Sequence, residues 1–177
     1  LLTYGSLSSD LHRNDLLLGE LTFGPDFNLG RFGIPNADLS IYGILGGVAL
    51  DGETYQRSIG AGAKLGKMFD AMNRGELRFE YRYLDYEDSD FRPDASDRTG
   101  NRYDVSGYFQ HAFNDRFSVF GIVDAARHVA VADFQTFWEV GGSIGFSYAF
   151  DSPITSLPGR WTATVSGGAL RRAFDEP

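Results

Sequence analysis

The stretch that decides the fold runs from Trp138 to Phe150 and reads WEVGGSIGFSYAF. Apart from Gly142, its even-numbered positions carry large apolar or aromatic side chains, whereas its odd-numbered positions carry a charge, a hydroxyl or little side chain at all. Successive side chains of a β-strand point to opposite faces of a sheet, so this period of two residues indicates a strand. We therefore expect a long strand here, with one apolar face and one polar face.

The same division recurs between Glu76 and Tyr83, where leucine, phenylalanine and tyrosine occupy the odd positions and glutamate alternates with arginine at the even ones. In five further segments the odd positions are again the more apolar set, with His111, Phe120 and Ile122 as exceptions. These segments are Leu17–Phe23, Ile59–Leu65, Tyr103–Phe113, Phe117–Ala125 and Trp161–Ala169. The pattern predicts a protein built from β-strands throughout.

About nine strands are expected, and residues with strong turn preferences separate them. The turns are predicted at Asp51-Gly52, Asn73-Arg74-Gly75, Asn114-Asp115 and Pro158-Gly159. The expected strands are 1–9, 14–24, 38–50, 53–68, 75–88, 101–113, 116–128, 134–150 and 160–174. No connection is long enough for a helical crossover, so each strand is expected to pair antiparallel with the next.

Several of these strands are long enough to cross a bilayer at a tilt. Aromatic residues also collect near strand ends, as the two interfacial girdles of a membrane barrel require: Phe69, Tyr83, Tyr86, Tyr103, Phe113, Phe117, Phe137, Trp138, Phe150, Trp161 and Phe174. The sequence thus predicts an all-β, antiparallel up-and-down transmembrane β-barrel of about 8–10 strands, with residues 1–177 in one domain.

Composition excludes several functions. The chain has no cysteine, which removes disulfides, thiolate metal sites and cysteine nucleophiles. Its net charge of −8 argues against nucleic acid as a partner, because phosphate-binding surfaces need concentrated Lys and Arg. No cofactor and no metal are expected, and we expect the protein not to be an enzyme.

Two segments resemble bacterial outer-membrane barrels. In those proteins a Tyr/Arg-rich strand leads into a charged surface loop, and the chain returns through a short Arg-containing step; Tyr81–Tyr86 and Asp97–Asp104 resemble these two parts. Ser143–Phe150 resembles a barrel strand of alternating aromatics that ends in Phe. Together they are similar to porin-like barrels and to the carboxy-terminal barrels that follow helical repeats, as in surface-lipoprotein assembly modifiers. The resemblance implies the bacterial outer membrane, with its lipid and lipopolysaccharide, as the surroundings.

Two features depart from that pattern. The aromatic strand ending at Phe150 lies inside the chain, and an odd strand count is unusual for single-chain bacterial barrels. Either Leu1–Ser9 is not a barrel strand, or the chain is part of a larger barrel completed by further strands or subunits. We expect the second arrangement.

If the apolar face meets lipid, the interior of the barrel collects nine charged residues. They are Glu20, Lys64, Glu76, Arg78, Glu80, Arg82, Asp104, Asp124 and Glu139. Charges of both signs at this density can fill a narrow barrel with cross-strand ion pairs, or line the channel of a wider one. These residues are the predicted lumen lining.

Other polar residues are expected to be ordinary surface groups. His12, His111 and His128 are predicted at the surface or at a membrane interface, and only His128 is a candidate for a lipid-modifying enzyme, with no adjacent Ser to support it. The acidic residues of Glu87–Asp90 share a loop with Arg92 and Arg98, which favours a solvated charged loop over a Ca²⁺ site.

Three functions remain open. The first is a porin-like channel, or a barrel that anchors or exports surface material, with a charged lumen. The second is a soluble β-barrel that binds a small apolar ligand, with the Trp138–Phe150 apolar face pointing inward. The third is a lipid-modifying outer-membrane enzyme. For a membrane barrel, the longer loop Glu87–Gly100 is expected outside the cell and Asn114-Asp115 on the periplasmic side.

Overall fold

A computed structural model describes residues 2–5, 16–50, 52–90, 92–153 and 159–175, the first of these ranges by its backbone alone. The predicted fold class is confirmed: the chain forms an antiparallel, up-and-down β-sheet that curls into a half-barrel. Within the described residues no helix has the length and apolar character needed to cross a membrane. His12, Asp51 and Pro158, which carried sequence-based expectations, lie outside the described residues.

Ten strands make up the sheet. They are β1 (Leu2–Gly5), β2 (Leu16–Phe23), β3 (Asp26–Asn28), β4 (Ala37–Leu50), β5 (Glu53–Met68), β6 (Asn73–Tyr86), β7 (Gly100–Ala112), β8 (Phe117–Ala130), β9 (Phe137–Asp151) and β10 (Arg160–Phe174). Short 3₁₀ turns at Leu29–Phe32, Ser96–Arg98 and Asp133–Gln135 lie in the connections. The strands pair in chain order, except that β3 pairs with β4 rather than extending the order by a strand.

The sequence pattern did not predict β3, which continues the line of β2 along the edge of β4. Gly24 and Pro25 separate the two strands, and Pro25 has no backbone N–H to donate to a ladder. A Cβ at Gly24 would lie 2.0 Å from the carbonyl oxygen of Ile41, so only glycine lets the chain pass this close to β4.

The turn between β5 and β6 lies earlier than the expected Asn73-Arg74-Gly75, because β6 already begins at Asn73. The Asp70 carboxylate closes the turn by accepting the backbone N–H groups of Met72 at 2.7 Å and Asn73 at 2.8 Å. Hydrogen bonds from the Asn73 side-chain amide and the Met72 backbone hold the pKa of Asp70 below its ordinary value. A side-chain-capped turn replaces the expected glycine turn.

The connections collect at two rims. The upper rim carries the β4–β5, β6–β7 and β8–β9 connections, and the lower rim carries the β2–β3–β4, β5–β6, β7–β8 and β9–β10 connections. At the upper rim the β6–β7 and β8–β9 connections are joined, since Val131 donates its backbone N–H to the Thr99 carbonyl at 2.7 Å.

Candidate functional site: the charged concave face

The register of the sheet aligns the predicted charged residues in adjacent rows on its concave face. Arg82 lies opposite Arg102 and Glu80 lies opposite Asp104 across the β6–β7 pair. The second row continues through Ala126 to Glu139 and Arg172 on the following strands. Because residues two apart on a strand share a face, the Arg82–Arg102 pair lies directly beside the acidic Glu80–Asp104 pair.

Long side chains bridge strands that are not neighbours. The Arg82 guanidinium reaches Glu20 at 2.5 Å, although β4 and β5 lie between β6 and β2. On a flat sheet, strands about 4.8 Å apart would place these two backbones roughly 14 Å from each other. The ion pair therefore depends on the curl of the sheet, which brings the concave ends of the side chains together.

Glycines in β5 provide the room for these bridges. The Tyr42 hydroxyl donates to Glu80 at 2.8 Å across the intervening strand, where Gly62 lies under the tyrosine ring. A Cβ at Gly62 would lie 2.6 Å from ring atoms of Tyr42. Arg82 also donates to Glu80 at 2.9 Å, so Glu80 accepts from two side chains.

A second cluster of charges lies on β7, β9 and β10. The Glu139 carboxylate accepts from Arg172 at 2.6 Å and from Arg102 at 3.3 Å, and Arg102 also binds Asp104 at 2.8 Å. The Glu139 side chain is 13% exposed, so these contacts are partly shielded from water. Charges at such a position are stabilised only while their partners remain in place.

The concave face holds all nine predicted charged residues. Glu20 and Lys64 line one recess of about 640 Å³, and Asp104, Asp124 and Glu139 line another of about 490 Å³; Arg78, Glu80 and Arg82 line both. Glu76 lies in the same face but outside both recesses, 3.6 Å from Arg74. The structure thus brings together eight of the predicted residues.

Sequence reasoning missed Tyr42, Arg102 and Arg172 as members of this site. The alternation of side chains could have predicted Arg102 and Arg172, because each lies on the polar face of its own strand. No such signal pointed to Tyr42, since a tyrosine in a strand is ordinarily assigned to the apolar face.

A third recess, which we call the mouth cavity, lies at the upper rim and measures about 380 Å³. It is lined by Leu84, Tyr86, Arg98, Arg102, His128, Gln135, Phe137, Arg172 and Phe174. The expectation that Tyr86, Phe137 and Phe174 belong to an outer aromatic girdle is therefore wrong. Each shares the parity of charged neighbours on its own strand and points to the concave side.

The expectation of a surface or interfacial histidine is also wrong for His128, which is 4% exposed. Its Nε2 lies 2.8 Å from the carbonyl oxygen of Arg98 in the β6–β7 connection. A carbonyl only accepts, so Nε2 carries the proton and Nδ1 is left with a lone pair. Among the described residues this Nδ1 is buried without a hydrogen-bond partner. His111 Nδ1 lies 2.8 Å from the Asn73 side-chain oxygen near the lower rim.

The convex face has the opposite character. Leu65, Leu77, Gly107, Val123 and Gly142 are successive cross-strand partners, and they form a row without a polar side chain. Val123 and Ile144 are each 66% exposed on this face. Ile44, on the concave side, is 1% exposed and is the one large side chain of the described residues that is fully buried.

Aromatic side chains do edge this convex face near the lower rim. Phe113 stacks on Phe117 at 5.5 Å, Phe117 contacts Phe146 at 6.3 Å, and Phe150 meets Trp161 edge-on at 6.3 Å. These pairs form a band along the ends of β7 to β10.

In the described part of the chain, no group of three or more His, Asp or Glu residues is placed to hold a metal ion. The acidic upper loop instead uses its carboxylates structurally, since Asp88 accepts from the backbone N–H of Ser96 at 2.7 Å and Glu87 pairs with Arg57 at 2.8 Å.

Comparisons with protein families, curated proteins and solved structures find no match to this chain.

The Tyr42–Glu80 bridge generates a prediction for Gly62. Gly62→Ala should cost about 1–2 kcal/mol of unfolding free energy, because the new methyl group displaces the tyrosine and removes a hydrogen bond to a charged acceptor. Gly47→Ala on the neighbouring strand is the control, since its Cβ would meet nothing closer than 3.6 Å. Denaturant unfolding of both variants in detergent micelles measures the difference. Equal costs at the two positions would contradict the assigned role of Gly62.

Proposed function

We propose that this chain forms part of a bacterial outer-membrane β-barrel, with its convex face against lipid and its charged concave face along a water-filled lumen. The proposed role is a non-enzymatic one: a porin-like passage for small polar solutes. The observation that carries the proposal is the inverted distribution of side chains, apolar on the exposed convex side and ionic on the enclosed side. The resemblance of the Tyr81–Tyr86 and Ser143–Phe150 segments to outer-membrane barrels points the same way.

The convex face supports the proposal because large apolar patches are rarely left in water. Leu77, Val123, Val140 and Ile144 are each more than half exposed and lie on the same side of neighbouring strands. Contiguous apolar surface of this kind marks contact with a partner or a membrane. An apolar band that crosses five strands, β5 to β9, and is edged by aromatics fits a bilayer better than a local protein partner.

The concave face supports a lumen because its charges are paired but still reached by solvent. The side chains of Arg82 and Arg102 are 22% and 24% exposed, and both lie on open recesses. Partial hydration and opposite charges are what a polar solute path requires. The outer edge of β10 has no strand partner within the described residues, and we propose that further strands complete the barrel there.

Two other functions have weaker support. In a soluble barrel that binds an apolar ligand, Val140, Ile144 and Phe146 would point inward. All three are instead exposed on the convex face. A lipid-modifying enzyme would need a nucleophile beside His128. Within the described residues, the polar group that this imidazole contacts is the Arg98 carbonyl. Both observations favour the membrane channel.

The two faces of β9 generate a prediction about insertion. Ile144→Arg should lower the unfolding free energy by roughly 2–4 kcal/mol, because an arginine on the lipid face near mid-bilayer is this costly. Ser143→Arg is the matched control on the next residue, whose side chain belongs to the concave face. Both variants are refolded into lipid vesicles and unfolded with denaturant. Equal costs, or a larger cost at Ser143, would place the apolar face inside and would favour the soluble barrel.

The orientation that we propose rests on the β6–β7 and β7–β8 connections, since the β2–β3–β4 connection at the lower rim is also long. Loops that face outward are usually longer than periplasmic turns, so we propose that the upper rim with Glu87–Gly100 faces the medium and that the Asn114-Asp115 turn faces the periplasm. A protease added to intact cells should cut the β6–β7 connection and spare the β7–β8 turn. Cleavage of this connection from the periplasmic side alone would invert the orientation.

A further inference from the structure

The mouth cavity differs in charge from the rest of the concave face. Arg98, Arg102, Arg172 and His128 contribute to its wall, and no carboxylate of the described residues lines it. The neighbouring recess, in contrast, mixes Arg78, Arg82 and Arg102 with four acidic side chains. A face that is nearly balanced as a whole thus carries a local excess of positive charge at the upper rim.

The arginines of the mouth cavity are not fully neutralised by their partners. Arg102 and Arg172 share the Glu139 carboxylate, and Arg102 also binds Asp104. The Arg98 guanidinium donates to the Tyr55 hydroxyl at 2.6 Å, which brings no negative charge. Two of the three guanidinium groups thus bind two carboxylates, the third binds a neutral hydroxyl, and both carboxylates lie outside the lining of the cavity.

The shape of the cavity also suits a ligand. The Arg172 guanidinium lies 4.3 Å from the centre of the Phe137 ring, which fixes the plane of its N–H donors. Phe174 packs edge-on against Phe137 at 5.5 Å and makes the adjoining wall apolar. A volume of about 380 Å³ is within the range of small-molecule sites.

His128 provides an independent observation. Buried polar atoms without a partner are rare in folded proteins, and they mark places where water or a ligand completes the hydrogen bonding. Within the described part of the chain, the unpartnered Nδ1 of His128 is such an atom, and its ring forms part of this wall. Because this nitrogen carries a lone pair, it can accept from water or from the hydroxyl of a hydrogen phosphate, while the arginines donate to the charged oxygens.

We propose that the mouth cavity binds small oxyanions, of the carboxylate or phosphate class, and that it gives the lumen a preference for anionic solutes. Planar guanidinium groups match the geometry of such oxyanions and bind them through charge-assisted hydrogen bonds. The binding site rests on the geometry of the cavity. The preference for anions in transport rests in addition on the proposed function.

Inorganic phosphate is the probe for the binding site. The full chain is refolded in detergent micelles and titrated with phosphate at constant pH and ionic strength, with the imidazole resonances as the readout. The His128 resonances should shift saturably, whereas those of His111, which lies near the lower rim and bonds Asn73, should not. The absence of a saturable shift at His128 would overturn the site.

Two neighbouring arginines supply a matched pair of variants. Arg172 faces the cavity, and Arg171 lies on the convex face opposite Val140. Arg172→Gln should weaken phosphate binding by about tenfold, which is the loss expected for one charge-assisted hydrogen bond, and Arg171→Gln should change it less than about twofold. Arg98→Gln is a second test that leaves Glu139 with both of its partners. Equal weakening by Arg171→Gln and Arg172→Gln would reduce the effect to net charge and would overturn the site.

Bilayer recordings separate this inference from the proposed function. Reversal potentials in a salt gradient should show an anion preference that Arg172→Gln lowers and Arg171→Gln retains. Conductance without an anion preference would overturn the selectivity while leaving the channel intact. Phosphate binding in micelles without any conductance would support the binding site and would contradict the proposed channel function.

Discussion

The structure depends on one constraint: a single curled sheet holds a network of charged side chains on its inner side, where ion pairs link strands that are not neighbours. Arg82 joins β6 to β2 through Glu20, and Glu139 joins β7 to β10 through Arg102 and Arg172. These bridges need the curvature, and the curvature needs small residues such as Gly62 beneath the bridging side chains. The ion pairs therefore form only when the sheet is curved, and the sheet can curve only where the sequence provides small residues.

This constraint explains why the described residues form no ordinary apolar core. Ile44 is the one large side chain of the described residues that is fully buried, and large apolar side chains of the convex face such as Val123 and Ile144 are mostly exposed. Partly buried ion pairs contribute little net stability, because desolvation offsets much of their attraction. The favourable burial that folding requires must then come from whatever covers the convex face, and we propose that this is lipid.

The sequence predicted most of the strands because period two and turn residues are local signals. The expected bounds of β5 and β10 are those observed, and β4 and β6 to β9 differ by at most three residues. Parity also assigned the charged residues to one face. It could not assign Tyr42, whose role depends on the register across β5, nor the burial of His128, which requires the β6–β7 connection to fold back. Asp70 replaced the expected turn through a side-chain hydrogen bond that turn preferences do not include. Contacts between distant strands need the curvature of the sheet, which is a property of the whole chain.

The most direct test is a cysteine scan of β9 from Glu139 to Tyr148, since the chain has no native cysteine. Single-cysteine variants are reconstituted into lipid vesicles and exposed to a water-soluble thiol reagent. The proposed arrangement predicts alternation, with the odd positions of the concave face reacting and the even positions of the convex face protected by lipid. Uniform reaction along the strand, or protection of the odd positions, would contradict it.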